Sequence, residues 1–233
     1  LNCAATGIGE TDSGYAFTFG ELWFQVPESI QITLTGTAPG WPIGKDIMLY
    51  LAGKYGVDMA LYKSIEFVGP GVKTLTMDNR FTMADQGVEI GAKFTIFEHD
   101  ETTAVFLKSR AIRPFQTVSP DKDAVYAEKY TIDLSSMTPQ VAAPHSFGNV
   151  KPVAEHVGVH IDQACIGSCA NGRFEDIEIA AKILKGRKVK SGVRLLVSPS
   201  SWDVYKQCMA ANLPEVIIDA GGQFLNPGCG VCA

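Results

Sequence analysis

Three cysteines have a setting suited to metal chemistry. Cys169 stands in Ile166-Gly167-Ser168-Cys169-Ala170-Asn171-Gly172-Arg173, and Cys229 and Cys232 stand in Asn226-Pro227-Gly228-Cys229-Gly230-Val231-Cys232. Thiolates are soft ligands that select iron–sulfur clusters, zinc or cuprous ion over hard cations such as magnesium. Electron-transfer clusters usually take four cysteines. Three thiolates on a four-iron cubane would leave one iron with open positions, a Lewis acid in the sense that an open zinc is one. Gly167 and Gly172 flank the first site, and Gly228 and Gly230 the second. Such glycines let the backbone turn and approach an inorganic core. A CxxC also occurs in zinc ribbons and redox sites, and three of these thiols with a histidine would make a tetrahedral zinc site. On spacing alone, cluster and zinc stand level.

Other residues have two readings each. Glu89, between Val88 and Ile90, would on an ordinary helix lie on a solvated face, and Asp85 one turn earlier would share that face. Two close carboxylates raise each other's proton affinity. Asn171 and Arg173 either hydrogen-bond the cysteine loop or its metal group, or, for Arg173, pair with Glu175 or Asp176 at a helix start. Cys3, Cys165 and Cys208 sit in apolar or helical settings and read as small buried hydrophobes. His99, His145, His156 and His160 are scattered, with no neighbouring nucleophile, and read as solvated or packing residues. Gly7-x-Gly9 lacks the third glycine and preceding strand of a dinucleotide fingerprint.

The elements that must position these groups follow from pattern. Tyr15 to Leu22 predicts a short helix, and Ser29 to Thr35 alternates at period two as a strand does. The loop Pro39-Gly40-Trp41-Pro42 marks a domain boundary. Ile47, Met48, Leu51 and Ala52 recur at helical spacing over Lys45 to Tyr55, with Gly56 as the cap. Ser64 to Val68 is a strand. Thr76 has the character of an N-cap for a helix running past Val88 to Ala92. A strand at Thr95 to Phe97, a helix at Glu101 to Lys108 and a strand at Tyr130 to Leu134 follow, and Pro139, Pro144 and Pro152 bracket a linker. The last unit reads as strand Ile161–Ile166, helix Phe174–Leu184, strand Val193–Val197, helix Trp202–Ala211 and strand Val216–Asp219. That order implies a parallel sheet with right-handed crossovers, with Cys169 and Cys229 beyond strand ends where α/β sites gather.

With 233 residues, 46% of them apolar, the chain can build real cores. A net charge of −5 argues against nucleic acid, which asks for a clustered basic face. No run approaches the roughly 18 apolar residues of a membrane span, and the start has no signal-peptide pattern. Six cysteines without secretory features suit a reducing compartment, so the expectation is a cytoplasmic protein.

The chain resembles the aconitase superfamily, most closely its isopropylmalate dehydratase large-subunit branch. The resemblance rests on the Ile166–Arg173 run followed by Glu175-Asp176, with Ala170 where threonine is usual, and on Cys229-Gly230-Val231-Cys232. Further matches are Leu22-Trp23-Phe24-Gln25-Val26-Pro27-Glu28, Gly44-Lys45-Asp46, Tyr62-Lys63-Ser64-Ile65-Glu66-Phe67, Gly87-Val88-Glu89-Ile90-Gly91-Ala92 and Ile183 to Val189. It implies three-layer α/β/α domains with mainly parallel sheets: a remnant first domain over 1–40, a second over 41–146 and a third over 147–233. It also implies a [4Fe-4S] cluster on Cys169, Cys229 and Cys232, with Asn171 and Arg173 at the cluster loop. Glu89 would be an acid–base group facing the open iron, and Asp85 would stand in place of the family's usual asparagine.

The implied reaction interconverts 2- and 3-isopropylmalate by dehydration and rehydration in leucine biosynthesis. Its substrate is a small anionic hydroxy acid, and its partner a small swivel-domain subunit. In the family an Asp-Ser-His run precedes the stretch where this sequence begins, and substrate-binding arginines follow the second cysteine motif. The expectation is therefore an internal fragment, inactive by itself. Homoaconitase or another hydro-lyase of the group is the nearest alternative, and a non-catalytic cluster- or zinc-binding protein the alternative of another class.

Overall fold

The computed structural model describes residues 5–230, so Cys3 and Cys232 lie outside the described residues. α1 (Glu10–Phe19) buries no side chain and ends on Gly20, whose φ of 74° and N–H to the Ala16 carbonyl form a left-handed cap. This cap stops the helix before Leu22, so it runs earlier than the expected Tyr15–Leu22.

β1 (Ser29–Thr35) alternates as expected, with Ile30, Ile32 and Leu34 fully buried. It is followed by α2 (Gly44–Tyr55), β2 (Ser64–Val68), α3 (Met77–Gln86), β3 (Phe94–Phe97), α4 (Glu101–Lys108) and β4 (Glu128–Asp133). The four strands form a parallel sheet in the order β3-β2-β1-β4. β1 is an inner strand of that sheet, and its Ile30, Ile32 and Leu34 share one core with Ile47, Met48 and Leu51 of α2 and Phe67 of β2. The Pro39–Pro42 loop is thus an internal connection of this unit, and a boundary at residue 40 would cut through its core.

α3 is shorter than the helix expected through Ala92, because the chain tightens to a 3₁₀ turn over Gly87–Ile90 and closes on Gly91 at φ 83°. Gly91 has no alternative, since a Cβ there would meet the Leu61 backbone at 2.8 Å. At the other end of α3, the Thr76 side chain accepts from the Asn79 N–H as a cap. Arg80, fully buried, donates to both oxygens of Asp100 at 2.7 Å and to the Val72 carbonyl at 3.0 Å, locking α3 to the start of α4.

The proline-bracketed stretch is folded. β5 (Gln140–Ala142) and β6 (Val150–Pro152) make an antiparallel hairpin. Val150 sits against Gly53 of α2, where a Cβ would come within 2.7 Å of it, and Phe147 packs on the first core. The hairpin belongs to the first unit.

The second unit contains β7 (Gln163–Gly167), α5 (Ser168–Asn171), α6 (Phe174–Leu184), β8 (Arg194–Ser198), α7 (Trp202–Ala210), α8 (Leu213–Asp219) and β9 (Gln223–Phe224). Its strands are parallel in the order β7-β8-β9. The expected strand at Val216–Asp219 is the helix α8: Pro214 fits a first turn, and Leu213, Pro214 and Ile217 turn together into the core. Its β-branched run followed helical spacing, and the closing strand lies just beyond. Cys208 is buried as expected, whereas Cys165 is exposed on β7. Among the described residues no helix is long and apolar enough to cross a membrane.

Candidate functional site

The first cysteine is set by a strand-to-helix turn that few sequences could make. Gly167 takes φ 130°, Ser168 follows at φ 66°, and a Cβ on Gly167 would lie 1.9 Å from the Ser198 carbonyl oxygen. Gly172 is equally crowded, 2.5 Å from Ser168 O and 2.6 Å from Ser198 O for an added Cβ. The two glycines bring β7, α5 and the end of β8 together with no side chain between them. Cys169 is thereby held beyond the carboxyl edge of the sheet with an exposed side chain.

The second cysteine segment is tied to the same edge. Ser198 Oγ, at the end of β8, donates to the Asn226 carbonyl at 2.9 Å, and Cys229 follows three residues later with its thiol exposed. Although Cys169 is exposed, partial burial comes first in pushing its thiol above the ordinary value; the carboxylate of Asp85 comes next, with Cys229 adding to it. Asp85 thus lies at the Cys169 thiol, and Cys229 is near enough for its charge to be felt there.

Asp85 arrives from the first unit on α3, which is fastened to the cysteine turn by several hydrogen bonds. Thr82 Oγ1 donates to the Ala170 carbonyl at 2.6 Å. Asn79 Oδ1 accepts from the Gly44 N–H of α2 at 2.7 Å, while its Nδ2 donates to Glu175 Oε1 of α6 at 2.9 Å. Thr76 Oγ1 donates to the same Glu175 oxygen at 2.8 Å. Burial raises Glu175 to about 7, an effect Thr76 opposes and Asp78 and Asp176 reinforce. Burial likewise raises Asp176 to about 6, although Asn171 and the Arg173 backbone N–H both donate to it.

Asn171 and Arg173 flank the turn. Arg173 forms no salt bridge with Glu175 or Asp176 among the described residues; its backbone N–H goes to Asp176 Oδ2 at 3.1 Å and its guanidinium lies 4.9 Å from the Phe81 ring centroid. Glu89 is exposed on the 3₁₀ turn. Asp85 lies on α3 and Glu89 beyond its end, so the i, i+4 spacing of one continuous α-helix does not hold between them. His99 packs near Phe115, and His160 pairs with Asp162.

The donor set fits a soft metal group. Ser168 Oγ, Asn171 Oδ1, Arg173 Nε and Ser200 Oγ are buried around this turn without partners. Buried polar groups are normally paired; the Ser168 and Ser200 hydroxyls and Arg173 Nε can donate to a sulfide-bearing core, whereas Asn171 Oδ1 can only accept and would need a donor from its immediate shell. Gly228 and Gly230 leave open space, with nothing within 4 Å of an added Cβ. No group of three or more His, Cys, Asp or Glu poised for a metal ion occurs among the described residues, which exclude the third thiol.

Sequence reading missed Asn79, Thr82 and Ser198. The threonine cap marks the helix start locally, but Asn79 is not the Glu or Gln of a capping box and is not singled out by it. Thr82 and Ser198 act only across units or strands, and nothing nearby in sequence marks them.

The model of the aconitase family (aconitate hydratase) matches residues 1–160 and 149–233. The chain is 48% identical over all its 233 residues to the 3-isopropylmalate dehydratase large subunit of Caldicellulosiruptor saccharolyticus, covering 54% of that protein. It is also 48% identical over 233 residues to the corresponding subunit of Desulfitobacterium hafniense, covering 55% of it. The chain spans about half the length of the curated relatives it matches. Among solved structures, aconitase X of Thermococcus kodakaraensis aligns with a TM-score of 0.48 at 14% identity, over 87% of this chain and 44% of that one.

Proposed function

The chain belongs to the aconitase family, and from that premise we propose that it is the cluster-bearing part of a hydro-lyase that interconverts 2-isopropylmalate and 3-isopropylmalate in leucine biosynthesis. Its relatives named as large subunits support a further proposal, a small-subunit partner that completes the active site. The observation that carries the reading is that the Cys169 turn and the Cys229 segment are tied to one sheet edge through Ser198, the first by the close approach of Gly167 and the second by the Ser198 hydrogen bond to the Asn226 carbonyl.

Cys169, Cys229 and Cys232 would hold a [4Fe-4S] cluster. When bound, a cluster with one open iron supplies Lewis acidity for the departure of a hydroxyl group. The chain's own residues do the rest. The Gly167–Ser168 turn and the Thr82 hydrogen bond fix the position of Cys169 before any ligand arrives. Asn171, through its unpartnered Oδ1, and Ser168 complete the polar lining. Asp85 at the thiol would hold or release a proton there, and Glu89 on the following 3₁₀ turn is a second candidate acid–base group.

The test is anaerobic reconstitution of the chain with iron and sulfide, followed by metal and sulfide analysis and electron paramagnetic resonance after mild oxidation. The expected result is a three-iron signal that ferrous ion abolishes. A folded chain that takes up only zinc, or no metal, overturns the reading.

A further inference from the structure

We propose that the apolar pocket between α3, α4 and the segment 110–116 binds an aryl carboxylate, its ring among Phe81, Phe106 and Phe115 and its carboxylate toward Arg110, Arg113 and His99. The pocket has a volume of about 460 Å³. Ligand pockets run from ~300 to 1,000 Å³ and combine apolar walls with a few placed polar groups, which is the pattern here. No cysteine lines it, and its occupant is not the hydroxy acid of the proposed reaction.

The walls select a flat apolar body. Phe81 and Phe106 meet edge-on with centroids 5.2 Å apart, and Phe115 is tilted against His99 at 6.0 Å. Met77, from the start of α3, adds a polarisable sulfur to the lining. A further ring set edge-on or offset against such rings gains more than its burial alone gives. Phe115 is 53% exposed and Ile112 98% exposed, so apolar surface borders the pocket without cover among the described residues.

Charge assigns the other end. Arg110 and Arg113 line the pocket, and no aspartate or glutamate does. Neither arginine makes a salt bridge among the described residues. Arg110 donates to the Phe106 carbonyl at 3.1 Å, and its guanidinium lies 4.1 Å from the Phe106 centroid, which seats the charge beside the apolar walls. A guanidinium over a ring still offers N–H groups at its edge to a planar carboxylate. Asp78 feels the charge of Arg110 from outside the lining, but it already accepts the Glu175 backbone N–H. His99 Nε2 is buried with no partner, although such groups are normally paired. A hydrogen on that nitrogen would meet a carboxylate oxygen; a hydrocarbon would leave it unmet.

The experiment is a ligand-detected nuclear magnetic resonance titration of the chain with naphthylacetate, with naphthylethanol, which lacks the charge, and with acetate, which lacks the ring. Naphthylacetate should bind about tenfold more tightly than either, the worth of a charge-assisted hydrogen bond or of ring burial. Arg110→Gln combined with Arg113→Gln should weaken naphthylacetate about tenfold and leave naphthylethanol unchanged. Phe115→Ser should weaken both. All three side chains are exposed, and circular dichroism checks that each variant folds. No binding of naphthylacetate by the parent chain, equal binding of the acid and the alcohol, or undiminished binding in the double variant overturns the proposal.

Discussion

The two units are built from the same parallel α/β pattern and treat it differently. In the first, β1 alternates completely, with Ile30, Ile32 and Leu34 at 0% exposure, and a charged group, Arg80, is buried with its partners. In the second, β7 has no fully buried residue, and the core is a smaller cluster around Ile177, Val197, Cys208 and Ile217. Stability concentrates where the sheet is covered, and reactive groups stand where it is open. The first unit acts as the foundation, and α3 carries its rigidity across to the cysteine turn through Thr82 and Asn79.

The largest test of this contrast is Gly167→Ala. An added Cβ has 1.9 Å to the Ser198 carbonyl and a backbone φ of 130° to tolerate, so the turn must come apart. The expected cost to the second unit exceeds about 4 kcal/mol. In urea, single-tryptophan variants should show Trp202 in α7 losing its transition while Trp41 keeps its midpoint. If both fall together, the units are one cooperative body and the contrast is wrong.

Next is Asp100→Ala, which strands the buried Arg80 guanidinium. Removing one partner of such a pair costs about 3 kcal/mol or more, and here the loss should register at Trp41 first.

The smallest effect is pH dependence at the junction. Glu175 and Asp176 are raised to about 7 and about 6 when folded, mainly by burial, so the folded chain binds their protons more tightly than the unfolded one. Stability should therefore rise by on the order of 2 kcal/mol as pH falls from ~8 to ~5. Asp100, lowered to about 2 chiefly by its hydrogen bonds from Arg80, works oppositely: its contribution is present above the ordinary carboxylate range and is lost as pH falls toward 2. A melting-temperature profile should peak between these limits. Glu175→Gln should flatten the upper limb, and an unchanged slope in that variant would assign the effect elsewhere.

Most elements could be read from the sequence because their cues are local. α2 and α4 follow apolar spacing with Gly56 and Asp100 as caps, and β1 follows strict alternation. The misreadings share a cause. Val216-Ile217-Ile218 has strand-like residues, but which face they bury is decided by β8 and α6, far away in sequence. The proline-bracketed stretch resembled a linker because the partner that orders it, Gly53 on α2, lies about a hundred residues earlier, and such non-local contacts leave no local trace. At the site, Cys169 and Cys229 declared themselves by residue type and flanking glycines. The approach of Asp85 to the cysteine turn depends on how two units pack, which no short window encodes.

The strand order β3-β2-β1-β4 also has a kinetic side. Ile30 pairs with Glu128, and Thr35 with Asp133. Until that closing partner is in place, β1 presents one unpaired, strongly apolar edge to its surroundings, across a separation of about a hundred residues, whereas β7, β8 and β9 find one another within a shorter span. A nascent or refolding chain is therefore most vulnerable to intermolecular strand pairing in its eventually sturdiest part. Aggregation during expression should track the fate of β4 rather than that of the cysteine segments.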